Sequence, residues 1–149
     1  MTVNPDILIG SADAQHVLIR PIARLQPGLF DDRDANWIAC EVQVAAGPFH
    51  GALPVDLPLD QLTIFLDDIG ALDAMAAAVA TFTNGGGQLS ISLARADAGP
   101  IEASGDIIDP DGSTRLQFAF SIDADDLRES RRGLEQLLAA YPVVRAAGA

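Results

Sequence analysis

Three side chains in this sequence, Cys40, His16 and His50, could act as a nucleophile or a general base. A thiol activated by a neighbouring histidine attacks carbonyl groups, and a hairpin turn near Gly47 could bring His50 towards Cys40. Counting back from that turn, however, places Cys40 opposite roughly position 53 or 54 of the returning strand. Cys40 also falls among the apolar residues of its strand, so we interpret it as a small buried hydrophobic residue.

The two histidines show neither a metal-binding nor a catalytic spacing. His50 alternates out of phase with Phe49 and Leu53, which predicts an exposed or half-exposed side chain on the other face of the strand. His16 opens a strand beside a turn. An enzyme would require His50, Cys40 and an acid to converge in one cleft, and the sequence does not predict that arrangement.

Acid-rich and glycine-rich segments are candidates for ion and phosphate sites. Residues 31–36 and 109–113 concentrate carboxylates, but a calcium loop starting at Asp109 would need glutamate at its twelfth position, which is Phe120. The glycines of 83–88 lead into a strand and no lysine follows them, unlike a phosphate-binding loop. We therefore predict no catalytic residue, no metal and no cofactor, and a protein that is not an enzyme.

Net charge is the most informative property of the composition. The chain has a formal charge of −12, and its nine basic residues are all arginine. Such a surface repels nucleic acid and anionic membranes, whereas it attracts basic proteins. Solubility alone is the simpler explanation of the acidity. We expect a protein partner, no nucleic acid and no membrane.

The location of the protein is predicted from what the sequence lacks. The first 15 residues contain neither the basic segment nor the apolar core of a signal peptide, and no apolar run of about 20 residues follows. The single cysteine excludes an internal disulfide, which fits a reducing compartment. We expect a cytoplasmic protein.

Alternating polarity predicts strands over most of the chain. The predicted strands are 6–10, 16–25, 37–46, 49–57, 89–97, a segment within 99–109, and 115–123. Pro21 makes the second strand an edge or introduces a bulge. The segment 74–82 is compatible with either a helix or a strand.

Two segments have the spacing of amphipathic helices. The first covers 59–72, with Pro58 suited to its start and Gly70 near its end. The second begins at Asp123 as N-cap and is stopped by Pro142. Its arginines at 128, 131 and 132 indicate a solvated helix face, with a docking point for an acidic partner as the alternative.

The order of these elements predicts an α+β fold. It has mainly antiparallel sheets of seven or eight strands, arranged as meanders or a sandwich, with two helices in the order ββββ-α-βββ(β)-α. We predict a single domain over residues 1–149, with 143–149 as a disordered tail.

Several short motifs, taken in order, resemble those of the WapI-type immunity proteins of bacteria. They are Trp37, the run Ala46-Gly47-Pro48-Phe49-His50-Gly51, helix 59–72, Ala78 with Ala80 and Phe82, Gly87-Gln88-Leu89, Gly105 with Asp109, Leu116 with Phe118, Phe120 and Asp123, and helix 124–141. The resemblance covers residues 36–142. It departs from the family at Ala78, where glycine is usual, and at Asp123-Ala124, where Asp-Gln is common.

This resemblance implies an acidic, antitoxin-like protein that binds and blocks the C-terminal domain of a secreted toxin. Occlusion of a basic toxin surface by acids in loops and on polar helix positions is the expected mechanism. The predicted partner-binding residues are Asp31, Asp32, Asp34, Asp67, Asp68 and Asp125. The alternative is a small-molecule or peptide-binding module with a cavity lined by Phe49, Phe65, Phe118 and Trp37.

Overall fold

The computed structural model describes residues 5–25, 36–96 and 99–143. Eight strands and two helices occur in this part of the chain. They are β1 (Ile7–Gly10), β2 (His16–Arg24), β3 (Trp37–Ala46), β4 (Phe49–Pro58), α1 (Leu59–Asp73), β5 (Val79–Thr83), β6 (Leu89–Arg95), β7 (Ile101–Ile108), β8 (Arg115–Ile122) and α2 (Ala124–Ala140).

The strands form two four-stranded antiparallel sheets, each in chain order. Sheet 1 is β1-β2-β3-β4 and sheet 2 is β5-β6-β7-β8. Short connections join neighbouring strands, as antiparallel pairing allows. The predicted α+β class and the element order are confirmed, with four strands in the second half.

Alternation of side chains determines which face of each strand is buried. In β3, Ile38, Cys40 and Val42 are buried, whereas the residues between them are half-exposed. The β3–β4 turn contains only Gly47 and Pro48, and Ala46 therefore lies opposite Phe49. Cys40 consequently lies opposite Val55, so the predicted partner at position 53 or 54 was wrong because the turn is tighter than the count assumed.

The structure decides between the alternatives that the sequence left open at Pro21 and in the segment 74–82. The register of β2 against β3 shifts between Pro21 and Ala23, which is the bulge that proline predicts. Helix α1 ends at Asp73, and β5 starts at Val79 after a turn in which Met75 has a φ of 60°. The segment 74–82 is therefore a turn followed by a strand, in which Ala80 and Phe82 face the core.

Each helix packs against the first strand of the other sheet. The buried face of α1 meets β5, where the ring centroids of Phe65 and Phe82 are 5.6 Å apart. Helix α2 lies on β1, and the Ser130 hydroxyl donates a hydrogen bond of 2.6 Å to the Leu8 carbonyl. The helices thus cover the β5 and β1 edges, which would otherwise be open to pairing with other chains.

The start of α2 agrees with its predicted N-cap. The Asp123 carboxylate accepts a hydrogen bond of 2.8 Å from the backbone N–H of Asp126, and the Asp126 carboxylate accepts one of 3.2 Å from the backbone N–H of Asp123. This reciprocal capping box satisfies N–H groups that the first turn of the helix leaves unpaired.

Phe49 does not join the core, contrary to the prediction that placed it with Leu53 and Val55. Its side chain is 65% exposed, although it has the same phase along β4 as those residues. The two sheets meet closely at Gly51, where an added Cβ would lie 3.2 Å from Leu116 Cδ2. Phe49 lies two residues nearer the hairpin tip, beyond this contact, so the described residues leave most of its side chain exposed.

Candidate protein-binding face

The structure separates the acids that the sequence predicted as partner-binding. Asp31, Asp32 and Asp34 lie outside the described residues. Asp67 and Asp68 are adjacent in the second half of α1, whereas Asp125 is in the first turn of α2. The described part of the predicted set is therefore divided between two helices.

Helix α1 presents an acidic stripe around one exposed apolar side chain. Residues at positions i, i+4 and i+7 share a helix face, which places Asp60, Ile64 and Asp67 together, with Asp68 beside them. Ile64 is 51% exposed. We call Asp60, Ile64, Asp67 and Asp68 the α1 face. None of its three acids forms an ion pair within the described part of the chain.

Helix α2 carries its own countercharges. Arg128 is 3.3 Å from the Asp125 carboxylate, and Arg132 is 2.8 Å from the Glu129 carboxylate. Arg131 is 3.2 Å from Glu135. Asp125 is thus paired, unlike Asp67 and Asp68, and the arginine cluster is an exposed face whose charges are already engaged.

One ion-pair network joins the two helices. The Asp73 carboxylate, at the end of α1, is 3.6 Å from Arg128 Nε and 3.8 Å from Arg131 Nη1 of α2. Asp73 is the only acid of α1 with such a partner among the described residues. The other α1 acids remain available to an external cation.

A groove of about 310 Å³ lies between α1 and the outer face of sheet 2. Helix α1 contributes Gln61, Ile64 and Asp68 to its wall. The sheet contributes a set of small hydroxyl side chains, namely Thr81, Thr83, Ser90, Ser92 and Ser104. We call this space the α1 groove. It places a carboxylate, an amide and several hydroxyls around an opening next to the α1 face.

The floor of the α1 groove follows from strand register. Ser92 lies opposite Thr81 on one side and Ser104 on the other, so three hydroxyl residues form a row across β5, β6 and β7. At Gly105 an added Cβ would overlap the Ser90 carbonyl oxygen. Only glycine allows β6 and β7 to approach in this way.

Sequence reasoning missed this groove. It treated the serines and threonines only as the polar partners in an alternating pattern. The available signal was their type, because the outward positions facing α1 carry uncharged hydroxyls in a chain with a net charge of −12. Gln61 and Ile64 were likewise not singled out.

The candidate nucleophile and base do not form a catalytic pair. Cys40 is 1% exposed, and burial, together with the nearby Asp56 carboxylate, raises the pKa of its thiol to about 12. His50 is exposed, as predicted, and lies opposite Ala45 at the other end of the hairpin. The protonated, buried thiol fits the predicted role of a core residue.

Other features that could bind ions are accounted for by local structure. His16 Nδ1 lies 3.0 Å from the carbonyl oxygens of Ser11 and Ala14 in the β1–β2 turn. The segment 109–113 is a turn in which the Asp111 carboxylate accepts a hydrogen bond of 2.8 Å from the Ser113 N–H. Within the described residues, no group of three or more His, Cys, Asp or Glu side chains is placed to hold a metal ion.

The four aromatic residues predicted to line one cavity lie in different places. Phe65 is buried against Phe82, and Phe118 packs against Phe120 with a centroid separation of 5.9 Å. Trp37 is half-buried on the outer face of sheet 1, and Phe49 is on the surface. The predicted lining was wrong because Phe65 and Phe118 fill the core, Trp37 faces outward, and Phe49 lies beyond the contact between the sheets.

A second groove, of about 620 Å³, lies at the open end between the sheets. Leu53 of β4 faces Ile107 and Leu116 of sheet 2 there, and Phe49 stands at its rim. We call it the apolar groove. It is lined mainly by apolar residues, unlike the α1 groove. In the described part of the chain, neither helix is long and apolar enough to cross a membrane.

Comparison with known proteins yields one family and one shared fold. The model of the immunity protein WapI-like family matches residues 7–142. A chain in crystal structures of Trypanosoma brucei MRP1/MRP2 is 13% identical, with a TM-score of 0.50 over 93% of this chain and 86% of that one. A chain of a guide-RNA-binding protein complex bound to a guide RNA is 12% identical, with a TM-score of 0.52 over 93% and 92%. No curated protein matches the sequence significantly.

Proposed function

Because the chain belongs to the WapI-like immunity protein family, we propose that it binds a basic toxin domain through the α1 face and blocks it without catalysis. Family membership supports a protein partner in general. The α1 face and the positive charge of the partner are the specific parts of this proposal.

The observation that carries the proposal is the contrast between free and paired acids. Asp60, Asp67 and Asp68 have no ion pair among the described residues, and they surround an exposed isoleucine. Protein interfaces commonly combine an apolar centre with a polar rim. The α1 face has this arrangement on a rigid helix, whose position is fixed by the packing of Phe65 on Phe82.

The charge of the whole chain would favour the encounter with such a partner. A net charge of −12 creates a field that attracts a basic protein and accelerates association. Asp31, Asp32, Asp34 and Asp125 enter the proposal as contributors to this field, since Asp125 is already paired with Arg128. Direct contacts with the partner are assigned to Asp67 and Asp68.

Occupation of the toxin surface requires no chemistry from this chain. The buried Cys40 thiol and the distant His50 support a binding role rather than a catalytic one. We place the protein in the cytoplasm, where a single unpaired cysteine is stable in its reduced form.

RNA is the competing partner to consider, because one structurally similar chain belongs to a complex with a guide RNA. At 12% identity that likeness extends only to the fold. Binding to phosphates requires a basic surface, and each salt-bridged arginine on α2 is already next to a carboxylate. The charge therefore favours a basic protein over RNA.

Co-expression with the toxin encoded by a neighbouring gene tests the proposal. We expect rescue of growth, a complex that remains intact in size-exclusion chromatography, and protection of α1 and β5 from amide hydrogen exchange in that complex. Protection confined to sheet 1, or preferential binding of a single-stranded RNA oligonucleotide over the toxin domain, would contradict it.

A second candidate function, the binding of a small apolar ligand or peptide, is favoured by the apolar groove alone. Its volume of about 620 Å³ lies within the range of about 300–1,000 Å³ typical of ligand pockets. A thermal-shift screen would show stabilisation by apolar compounds, and Leu53→Arg would abolish it. The absence of any such stabilisation would exclude this function.

A further inference from the structure

We infer that the α1 groove is a pocket for one arginine side chain of the protein partner, whose guanidinium pairs with Asp68. This inference rests on the proposed function, because it assigns the groove to the same partner. It adds a specific chemical requirement, namely that the partner presents an arginine at the α1 face.

Asp68 supplies the charge that an arginine would meet. Its side chain is half-buried at the wall of the groove and has no ion pair among the described residues. Gln61, in the same wall, offers an amide oxygen. A partly enclosed carboxylate without a cation attracts one more strongly than a fully solvated carboxylate does, since screening by water is weaker.

The floor of the groove provides acceptors for the remaining donors. A guanidinium carries five N–H donors in a planar fork, and serine and threonine hydroxyls can accept from them. The Thr81–Ser92–Ser104 row places three such hydroxyl residues side by side. A lysine ammonium has only three donors and no planar geometry to match an extended row, so the groove favours arginine.

The remaining features fit the stem of the same side chain. Ile64 is exposed at the wall and can cover the methylene groups of an arginine, which commonly lie along apolar surface. The volume of about 310 Å³ is at the lower end of the range for ligand pockets, which suits one long side chain.

The groove beside α2 differs from the α1 groove, because an arginine of α2 itself lies in its wall and pairs with a glutamate. A groove of about 280 Å³ lies between α2 and β1, the counterpart of the α1 groove between α1 and β5. Its lining includes Arg132 together with Asp126 and Glu129, and Arg132 Nη1 is 2.8 Å from the Glu129 carboxylate. Among the residues that the structure describes, the lining of the α1 groove includes Asp68 and no arginine. Charge complementarity therefore indicates that a partner supplies it.

Titration with N-acetyl-arginine amide, followed by NMR, tests this inference on the intact chain. We expect saturable shifts of the backbone amides of Thr81, Ser92 and Ser104. The lysine analogue should bind more weakly, and the citrulline analogue, which has nearly the shape of arginine without the charge, should give no saturable shift.

Two variants with a matched control identify the groove. Asp68→Asn should weaken arginine-amide binding about fivefold, as expected for the loss of one partly exposed ion pair. Asp67→Asn removes the same charge from the adjacent, exposed position and should weaken it less than twofold. Ser92→Tyr fills the groove without changing the charge and should abolish the shifts, while circular dichroism confirms that each variant is folded.

Equal weakening by Asp67→Asn and Asp68→Asn, or equal binding of the arginine and citrulline analogues, would overturn the inference. The proposed function fails separately. If the toxin complex forms and protects α1 while arginine amide does not bind, the α1 face is the interface but the groove does not select arginine. If no toxin complex forms, the proposed function itself fails.

Discussion

Helices α1 and α2 carry equal numbers of acidic residues but differ in the basic residues beside those acids. Each helix has four acidic residues, but α1 has no basic residue and α2 has three arginines. On α2 the arginines pair with Asp125, Glu129 and Glu135. Within the part of the chain that the structure describes, Asp73 is the only acid of α1 in an ion pair, and its partners come from α2.

The two helices also differ in the space around one glycine of each. Gly133 of α2 is so near β1 that an added Cβ would lie 2.6 Å from the Asp6 carbonyl oxygen. At Gly70 of α1 the nearest atoms to an added Cβ are those of the Arg131 guanidinium, at 3.8 Å. Helix α2 lies so close to β1 that only glycine fits at position 133, and three of its acids are paired, whereas three acids of α1 have no ion pair among the described residues. This difference suggests a structural role for α2 and a binding role for α1.

The largest effect is expected from substituting these two glycines. Gly133→Ala should lower the free energy of unfolding by about 1–3 kcal/mol, because the methyl group forces α2 away from β1. Gly70→Ala should raise it by about 0.5–1 kcal/mol, because alanine has the higher helix propensity and ordinary contact distance is available. Urea denaturation measures both changes. If Gly133→Ala were as stabilising as Gly70→Ala, the close packing of α2 would be disproved.

Neutralising two acids on one helix at a time should show which helix contacts the partner. The double variant Asp67→Asn/Asp68→Asn should weaken toxin binding about tenfold, which corresponds to roughly 1.4 kcal/mol. Glu129→Gln/Glu135→Gln removes the same charge from α2 and should weaken it about threefold or less, through the long-range field alone. Isothermal titration calorimetry at low and high salt measures both. Equal losses would show that total charge, rather than the α1 face, determines affinity.

Much of the fold could be predicted because burial is encoded in the spacing of single residues. Ile38, Cys40 and Val42 alternate along a strand, and Leu62, Phe65 and Ile69 recur at helical spacing, so each element could be identified locally. The N-cap at Asp123 was similarly local, whereas its capping box with Asp126 was seen only in the structure. These patterns do not depend on which elements later meet in space.

The packing partners could not be predicted in the same way. Ser130 and Gly133 interrupt the apolar stripe of α2, yet they are buried because β1 approaches the helix there. Phe49 has the phase of a core residue but lies beyond the reach of sheet 2. The α1 groove is formed by a helix and three strands. The position of Asp68 in the helical pattern therefore does not indicate that serines of sheet 2 lie opposite it. Asp67 and Asp68 were selected for charge, and their freedom from ion pairs is a tertiary property.

Loss of the N-cap of α2 is expected to have a smaller effect than the glycine substitution. Asp123→Ala removes the acceptor for the Asp126 N–H and should cost about 1 kcal/mol. Asp125→Ala, in the same first turn, removes a charge and its exposed ion pair with Arg128 but no cap, and should change stability by less than about 0.5 kcal/mol. Helix α1 starts at Pro58 with no side-chain cap, so its stability does not depend on such a residue. Thermal unfolding compares the two variants, and equal effects would mean that the cap adds nothing beyond its charge.

The smallest effect is expected from breaking an exposed ion pair of α2. Glu129→Gln removes the partner of Arg132, whose side chain is 65% exposed, and should change the free energy of unfolding by at most about 0.5 kcal/mol. Asp67→Asn is the control, because it breaks no ion pair among the described residues. Any difference in unfolding free energy between the two variants should disappear at high salt, because salt screens the interaction between exposed charges. The α2 pairs would then contribute little to stability, and their effect would be to balance the charge on the surface of α2. A loss of unfolding free energy well above 1 kcal/mol that does not depend on salt would instead show that these pairs hold α2 to β1. The contrast between paired acids on α2 and unpaired acids on α1 would then no longer support a binding role for α1.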